Sequence, residues 1–196
     1  AYTVTAATRS LTVTAPAFDS VTYGYSQTDA EALTIANTGN AEAAVSSVAV
    51  PSGSKFTVGG SGSTVPANGN ITTWTIQPNA GLGVGTYTAK VTVTYNSGAT
   101  ATADVSFTVA ATAITGTVAI SGTEKYGQTL TATQAGVPGT LNYAWYRSGV
   151  AEPVQSGTSS TYVLTAADVG KTMTVKVTDT SGNYSGAVTS VATGAV

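Results

Sequence analysis

Side chains that commonly carry catalytic or metal chemistry are scarce in this chain. Its 196 residues include no cysteine and no histidine. This composition excludes a thiolate nucleophile, an imidazole base and an ordinary zinc, copper or haem site. Nine acidic and seven basic residues remain, spread along the sequence. We therefore expect no enzyme, no catalytic residue, no metal site and no cofactor.

Three acidic residues come closest to a ligand pattern. Asp19, Asp29 and Glu31 offer the oxygen atoms that a hard cation such as calcium prefers. The sequence contains no D-x-D-x-D-G run, which favours solvated loop acids over a calcium site. Asp29 and Glu31 point the same way on an extended chain, but a glycosidase pair also needs an aromatic-lined cleft, and no such cleft is indicated.

Aromatic side chains raise the question of carbohydrate binding, because sugars stack on flat rings that a rigid sheet presents. Tyr23 and Tyr25 alternate, which would place them on one face of a strand, and Tyr146 faces away from Trp145. These three tyrosines are the candidate carbohydrate contacts. Trp74 shares strand parity with apolar neighbours and is predicted to lie in the core.

The charge balance argues against two classes of partner. The formal net charge is -2 and the isoelectric point is near 4.8, so neither nucleic acid nor an anionic membrane surface is an expected partner. No apolar run approaches the roughly 20 residues of a membrane helix, so no membrane insertion is expected. The remaining candidates are an unknown protein or a glycan at the cell surface, and the chain is expected to be monomeric.

Composition predicts an all-β fold. Threonine occurs 38 times and leucine 6 times, and charged residues make up 8% of the chain. Threonine and valine favour strands, whereas an average soluble domain is richer in charged residues and in leucine. The run 87–95 alternates apolar residues with Thr or Lys, as in an antiparallel strand with one wet face. Asn96-Ser97-Gly98 then predicts a hairpin turn into 100–109.

The pattern of short alternating runs predicts two domains, residues 1–111 and 112–196. Residues 1–9 are expected to form a lead-in strand or linker. Predicted strands of the first domain are 11–14, 33–36, 72–76, 86–95 and 102–109; those of the second are 118–121, 129–133, 141–147, 161–164, 172–178 and 187–192. Each domain is long enough to bury a modest core without disulfides.

Four segments of the first domain form a recognisable set. They are Phe18-Asp19-Ser20-Val21, Leu33-Thr34-Ile35-Ala36-Asn37-Thr38-Gly39-Asn40, Val65-Pro66-Ala67-Asn68-Gly69 and Gly85-Thr86-Tyr87. Over nearly all of residues 10–109 the domain resembles the immunoglobulin-type domains related to abnormal-spindle and major-sperm-protein folds. Asn37-Thr38-Gly39-Asn40 predicts a tight turn built from residues that tolerate positive φ.

The second domain carries another set of motifs. They are Ile120-Ser121-Gly122, Gly127-Gln128-Thr129-Leu130, Tyr143-Ala144-Trp145-Tyr146-Arg147, Ser160-Thr161-Tyr162-Val163-Leu164 and Ala167-Asp168-Val169-Gly170-Lys171. This domain closely resembles the Ig-like repeats of large Clostridia-type surface proteins. The two resemblances imply tandem immunoglobulin-like antiparallel β-sandwiches, located outside the cell or in its wall, often upstream of S-layer or cell-wall anchors. No anchor is recognisable, so the chain is expected to be a fragment.

Trp145 is the predicted centre of the second core. It shares strand parity with Leu141 and Tyr143, on the face where immunoglobulin sandwiches bury a tryptophan. The cysteine pair that normally flanks such a tryptophan is missing. Leu130, Met173 and Val175 are therefore predicted to fill the space.

Three functions remain open at this point. The leading one is a non-catalytic structural or adhesive module of a larger bacterial surface protein, acting as an extended spacer or interaction domain. The second is an ancillary carbohydrate-binding region of a secreted enzyme. The third is an enzyme, which would need a cluster of titratable side chains in a cleft.

Overall fold

The computed structural model describes residues 5–196. Strands make up 49% of the chain, and the described residues contain no α-helix. The chain divides into two compact units, Ala1–Ala110 and Ala111–Val196. The fold confirms the predicted all-β class with two tandem immunoglobulin-like antiparallel β-sandwiches. No helix in the described part of the chain is long and apolar enough to cross a membrane.

The first unit contains eleven strand segments within its described residues. They are β1 (Leu11–Thr14), β2 (Val21–Thr22), β3 (Glu31–Ala32), β4 (Thr34–Asn37), β5 (Ala43–Ala49), β6 (Phe56–Gly60), β7 (Thr64–Val65), β8 (Asn70–Ile71), β9 (Trp74–Pro78), β10 (Gly85–Tyr95) and β11 (Ala99–Ala110). One layer has the order β2-β11-β10-β5-β7. The other layer consists of β1-β4-β8 and β3-β9-β6. The amide of Leu33, between β3 and β4, donates to the carbonyl oxygen of Trp74 at 2.8 Å.

The predicted hairpin is present. Strands β10 and β11 pair without interruption from Gly85↔Val109 to Tyr95↔Ala99. Asn96 and Gly98 adopt positive φ in the turn, which matches the right-handed twist of the two strands. Alternation along the hairpin places one face in the core and leaves the other, mostly Thr, toward solvent.

Alternate apolar side chains from both layers form the core of the first unit. Leu33, Ile35, Ile76 and Phe107 are almost fully buried. The ring of Phe18 contacts Phe107 edge to face, with ring centres 6.1 Å apart. Since the chain has no disulfide, this packing supplies most of the stabilisation of the unit.

The Asn37–Asn40 segment forms a turn, but not for the predicted reason. Gly39 does not adopt positive φ; a Cβ at this position would instead collide with the backbone oxygen of Thr8. Asn37 is buried, and its Nδ2 donates to the carbonyl oxygen of Ala41 at 2.8 Å, while its Oδ1 accepts from the amide of Gly39 at 2.9 Å. The motif therefore holds the entering chain against β4.

The second unit contains nine strand segments and one 3-10 turn. They are β12 (Thr112–Ala113), β13 (Thr117–Ser121), β14 (Thr129–Ala135), β15 (Leu141–Arg147), β16 (Gln155–Gly157), β17 (Thr161–Val163), the 3-10 turn Ala166–Asp168, β18 (Met173–Asp179), β19 (Tyr184–Ser185) and β20 (Val188–Thr189). The layers have the orders β13-β14-β17 and β16-β15-β18-β20, and β12 pairs separately with β19.

Trp145 lies at the centre of the second core, as predicted. Its side chain is fully buried and stacks on Tyr162, with ring centres 5.7 Å apart. Leu130, Met173 and Val175 are also fully buried in the same cluster as Trp145. That they fill the space of the missing cysteine pair stays a prediction. Among residues 5–196 the Nε1 atom of Trp145 has no hydrogen-bond acceptor.

We predict that Trp145→Ala lowers the free energy of unfolding of the second unit by about 3–5 kcal/mol, the usual cost of removing a buried aromatic ring. Trp145→Phe should cost less, because Nε1 donates no hydrogen bond there. Denaturant unfolding followed by circular dichroism measures both. Val191→Ala, at a side chain that is 89% exposed, is the control. A Trp145→Ala protein as stable as this control would contradict the assignment of the core.

Candidate functional site

Tyr23 and Tyr25 pack against the core of the first unit. Strand β2 ends at Thr22, and Gly24 adopts positive φ in the turn that follows, so the two tyrosines do not alternate on one strand face. The hydroxyl group of Tyr25 donates to the carbonyl oxygen of Asn79 at 2.7 Å. Its ring meets Phe107 edge to face at 5.6 Å. Both rings are half-buried, which leaves part of each accessible.

Tyr146 lies in the other unit, on the outer face of β15. It pairs with Thr174 of β18 and is half-buried. Asn142 lies on the same face and donates to Ser156 Oγ at 3.2 Å. The three predicted carbohydrate contacts are therefore divided between two units, two on one and one on the other. A carbohydrate site at any of them stays a prediction.

Asp19, Asp29 and Glu31 do come together around one pocket. Its volume is about 210 Å³, and Phe18, Thr28 and Phe107 also line it. The hydroxyl oxygen of Thr28 is buried and has no hydrogen-bond partner among the described residues. Nevertheless, no group of three acidic residues within 5–196 has the proximity that a metal ion requires. The geometry therefore leaves these acids as neighbours of one pocket and not as a ligand set.

A larger and more open groove lies on the outer face of the β10–β11 hairpin. Its volume is about 650 Å³, and its lining residues are Pro51, Thr88, Ala89, Lys90, Asp104, Val105 and Ser106. Lys90 Nζ lies 2.7 Å from Asp104 Oδ1, with side chains 55% and 79% exposed. A solvated ion pair of this kind contributes little stability. The groove offers hydroxyl groups and one ion pair, without a nucleophile held against a base.

The most buried charge belongs to Asp168, in the 3-10 turn before β18. Its carboxylate is inaccessible to solvent. Oδ2 accepts from the Tyr162 hydroxyl at 2.9 Å and from the Thr165 amide and hydroxyl at 2.7 Å each. Oδ1 accepts from Arg147 Nη1 at 3.1 Å. Because all its strong acceptor positions face protein donors, Asp168 ties the turn to β15 and β17 and is not available as a base.

The hydrogen bonds and burial around Asp168 change two pKa values, that of its own carboxyl and that of the Tyr162 hydroxyl. Burial alone would raise the pKa of the carboxyl, but the hydrogen bonds from Thr165, Tyr162 and Arg147 outweigh burial and lower it. Burial raises the pKa of the Tyr162 hydroxyl, and the hydrogen bond to Asp168 adds to that increase. The carboxylate is therefore stabilised in its charged form inside the sandwich.

A second carboxylate organises the loop between β18 and β19. Asp179 accepts from the Thr140 amide at 2.8 Å, from the amide and hydroxyl of Ser181 at 3.0 and 2.6 Å, and from the Tyr184 amide at 3.1 Å. Partial desolvation would raise the pKa of Asp179, but these donors lower it strongly. A Cβ on Gly139 would collide with the carboxylate, so glycine is required there.

Sequence reasoning missed both roles. Asp168 was noted only as part of a motif, and Arg147 carried no signal because its partner lies 21 residues away. The Asp179-Thr180-Ser181-Gly182 sequence did carry one, since Asp followed by Ser and Gly is typical of a side-chain-capped turn. Both carboxylates stabilise loops through their hydrogen bonds.

The fold defines a class of protein: tandem immunoglobulin-like antiparallel β-sandwiches. A sequence model described as Long Rib domain matches residues 4–110. The chain therefore belongs to the Long Rib domain family, a repeat of bacterial surface proteins. The resemblance of the first unit to abnormal-spindle and major-sperm-protein domains stays a prediction. Among curated proteins, no sequence matches the chain.

Several solved structures show weak similarity. Fibronectin(III)-like modules of CbhA from Clostridium thermocellum are 18% identical, with 92% of each chain covered and a TM-score of 0.33. A tetra-tandem repeat from the extending region of a large adhesion protein is 17% identical, with 97% of this chain and 50% of that chain covered and a TM-score of 0.38. The human OSCAR ligand-binding domain is 13% identical, with 93% of this chain and 96% of that chain covered and a TM-score of 0.33. Similarity this low carries no argument about function.

Asp168→Asn should lower the free energy of unfolding of the second unit by about 3–5 kcal/mol, because it leaves Arg147 without its buried partner. The folded-state pKa of Asp168 lies below the unfolded value of about 3.9, so its contribution is complete above that pH and is lost as pH falls through the folded-state pKa.

Denaturant unfolding at several pH values between neutral and strongly acid measures the effect. The free energy of unfolding of Asp168→Asn should fall less steeply at acid pH than that of the wild type, because this variant has no Asp168 carboxylate to protonate. Glu152→Gln, at an exposed acid of the same unit, should show the wild-type decrease. Equal acid slopes for wild type and Asp168→Asn would refute this role.

For the carbohydrate prediction, a glycan array with the full chain is the first measurement. If the three tyrosines form contacts, Tyr25→Ala or Tyr146→Ala should abolish binding to the captured glycan, because an aromatic stacking surface is lost. Tyr126→Ala removes a ring that is 67% exposed outside the predicted set and should leave binding unchanged. Absence of any bound glycan, or equal loss in the Tyr126 variant, would contradict the prediction.

Proposed function

We propose that the chain is a non-catalytic spacer module of a bacterial cell-surface protein, which holds other domains away from the cell envelope. The observation that carries this proposal is the Long Rib match over residues 4–110, in a chain built from two sandwiches. The Ig-like repeat family and fold are typically non-catalytic. The buried carboxylate of Asp168 and the partly exposed carboxylate of Asp179 are engaged in loop hydrogen bonds, which fits a structural role.

The connection between the units supports a spacer in preference to a flexible tether. Strand β11 ends at Ala110 and β12 begins at Thr112, so one residue, Ala111, separates the strands of the two units. A flexible linker would need a longer glycine- and serine-rich segment. Each unit also has a hydrophobic core of its own.

Finer features belong to the same proposal. The motifs of residues 112–196 favour a Clostridia-type surface protein, with extracellular or cell-wall location and an S-layer or cell-wall anchor elsewhere in a longer protein. The absence of cysteine fits an exterior without a dedicated reducing system. An adhesive contact with a protein or glycan would add to the spacer role without replacing it.

A display experiment tests the spacer function. The full chain is placed between a wall anchor and a reporter epitope on a bacterial cell, and antibody binding to intact cells is measured. We expect more epitope exposure than with a glycine–serine linker of 196 residues, because a flexible chain spans a distance that grows only as about the square root of its length.

A triple variant, Lys90→Ser, Asp104→Ser and Tyr146→Ser, serves as the control for an adhesive role. These substitutions change the exposed outer faces and leave the cores intact. Epitope exposure should be the same as with the unmodified chain. Equal exposure for the folded chain and the flexible linker would contradict the spacer function.

A further inference from the structure

The segments at the two ends of each unit are the elements through which tension along the chain must pass. In the second unit the entering strand β12 lies beside β19, at the start of the final segment, and the two run parallel. The amide of Thr112 donates to Asn183 O at 3.2 Å, and the amide of Ile114 donates to Ser185 O at 2.8 Å.

The parallel direction decides how these bonds are loaded. Tension pulls an entering strand toward its amino end and a leaving strand toward its carboxyl end. Two parallel neighbours are therefore drawn past each other lengthwise, and their hydrogen bonds resist together. An antiparallel hairpin pulled at its two adjacent ends would instead open one pair at a time. Forced unfolding depends on the unfolding rate, so simultaneous loading lengthens the lifetime of the fold.

The first unit has the same arrangement. Strand β2, near its beginning, runs parallel to the end of β11, with Val21 opposite Val109 and Thr22 opposite Ala110. The amide of Tyr23 extends the pairing by donating to Ala110 O at 2.8 Å. Along its full length, β11 is also paired with β10. Withdrawing β11 along its axis would therefore break both sets of bonds.

The final segment of the second unit is held by side-chain hydroxyls as well as by its backbone. Ser190 donates its amide to Val175 O at 2.9 Å and accepts from the Val175 amide through Oγ at 3.0 Å. Thr193 does the same with Met173, at 2.9 Å in each direction. These four bonds fasten the leaving segment to β18, so tension must break them together with the β12–β19 pairing before the segment slides.

Glycine makes the entry geometry possible. Gly116, between β12 and β13, has a φ of 99°. A Cβ there would collide with the backbone of Ala135 and Gly136. The close approach at Gly116 lets the chain pass directly from β12, which pairs with β19, to β13, which pairs with β14. Strand β12 therefore lies at the entry of the unit.

We propose that the parallel pairings β12–β19 and β2–β11 are mechanical clamps that keep each unit folded when the chain is under tension. The proposal deepens the spacer function and rests on it, because a spacer at a cell surface transmits pulling forces. The second unit should yield first. Before Gly116, the entering strand β12 of the second unit pairs with β19 and with no other strand of the described chain. In the first unit, β1 also pairs with β4 over four residues.

Single-molecule pulling on the full chain at constant force tests the clamp. The contour length released on unfolding distinguishes the units, because the first contains more residues. Ile114→Pro removes the donor to Ser185 O and should shorten the lifetime of the second unit about fivefold, the effect of one hydrogen bond of about 1 kcal/mol.

Thr115→Pro is the matched control, because in the described chain the Thr115 amide donates no hydrogen bond. Its lifetime under load should equal that of the unmodified chain. Denaturant unfolding without force shows whether each variant is folded and allows a comparison at equal stability. Equal lifetimes for the two proline variants would overturn the clamp.

A second measurement needs no substitution in the clamp. The chain has no cysteine, so introduced pairs define the pulling points without ambiguity. Pulling between Ala111→Cys and Val196→Cys applies the force along the clamp. Pulling between the exposed positions Val150→Cys and Lys171→Cys instead opens the antiparallel pair β15–β18 from one end.

Longer lifetimes are expected for the first pair, and equal or shorter ones would refute the proposal. Because both measurements use the isolated chain, their failure would leave the epitope-exposure result unaffected.

Discussion

Both units depend on the burial of alternate side chains between two sheets. The chain has no disulfide, and its surface ion pair between Lys90 and Asp104 is solvated. Hydrophobic contact therefore carries the stability, centred on Phe107 in one unit and Trp145 in the other. The loop conformations and the strand pairings both depend on these cores staying packed.

Two carboxylates of the second unit support this packing at the ends of the strands, the buried Asp168 and the partly exposed Asp179. Asp168 and Asp179 each gather donors from segments that the sheets alone would not hold. A buried carboxylate is tolerated only where such donors replace water. This use of acidic residues explains why a chain with few charged groups still places one of them where solvent does not reach.

Parallel pairing at the ends of each unit relates the fold to its proposed task. An antiparallel sandwich needs no parallel strands for its core, yet β2 runs parallel to β11, the last strand of the first unit, and β12 runs parallel to β19, near the end of the second unit. The outer faces are rich in threonine and serine, which remain solvated and present few apolar contacts. Such a module is suited to separating other domains while presenting a polar surface, and its terminal strands are arranged to resist extension.

The period-two alternation of β10 and β11 was readable because both strands are long and have one wet face. Strand β5 escaped detection because a bulge opposite Thr94 and Tyr95 breaks the alternation, so that its buried Val45 and Val48 are three residues apart. Tyr25 was expected to be accessible on a strand, but its ring meets Phe107, which is 82 positions later in the sequence. Local patterns cannot report such a contact.

The sequence by itself determined the all-β class, the burial of Trp145 and the lack of thiol and imidazole chemistry, because these follow from composition and local alternation. Only the tertiary structure decided that Arg147 pairs with Asp168, that Asp19, Asp29 and Glu31 share a pocket without forming a ligand set, and that β12 lies beside β19. Each of these depends on how distant strands pair. Alternation states which face of a strand is buried, but it does not name the neighbouring strand.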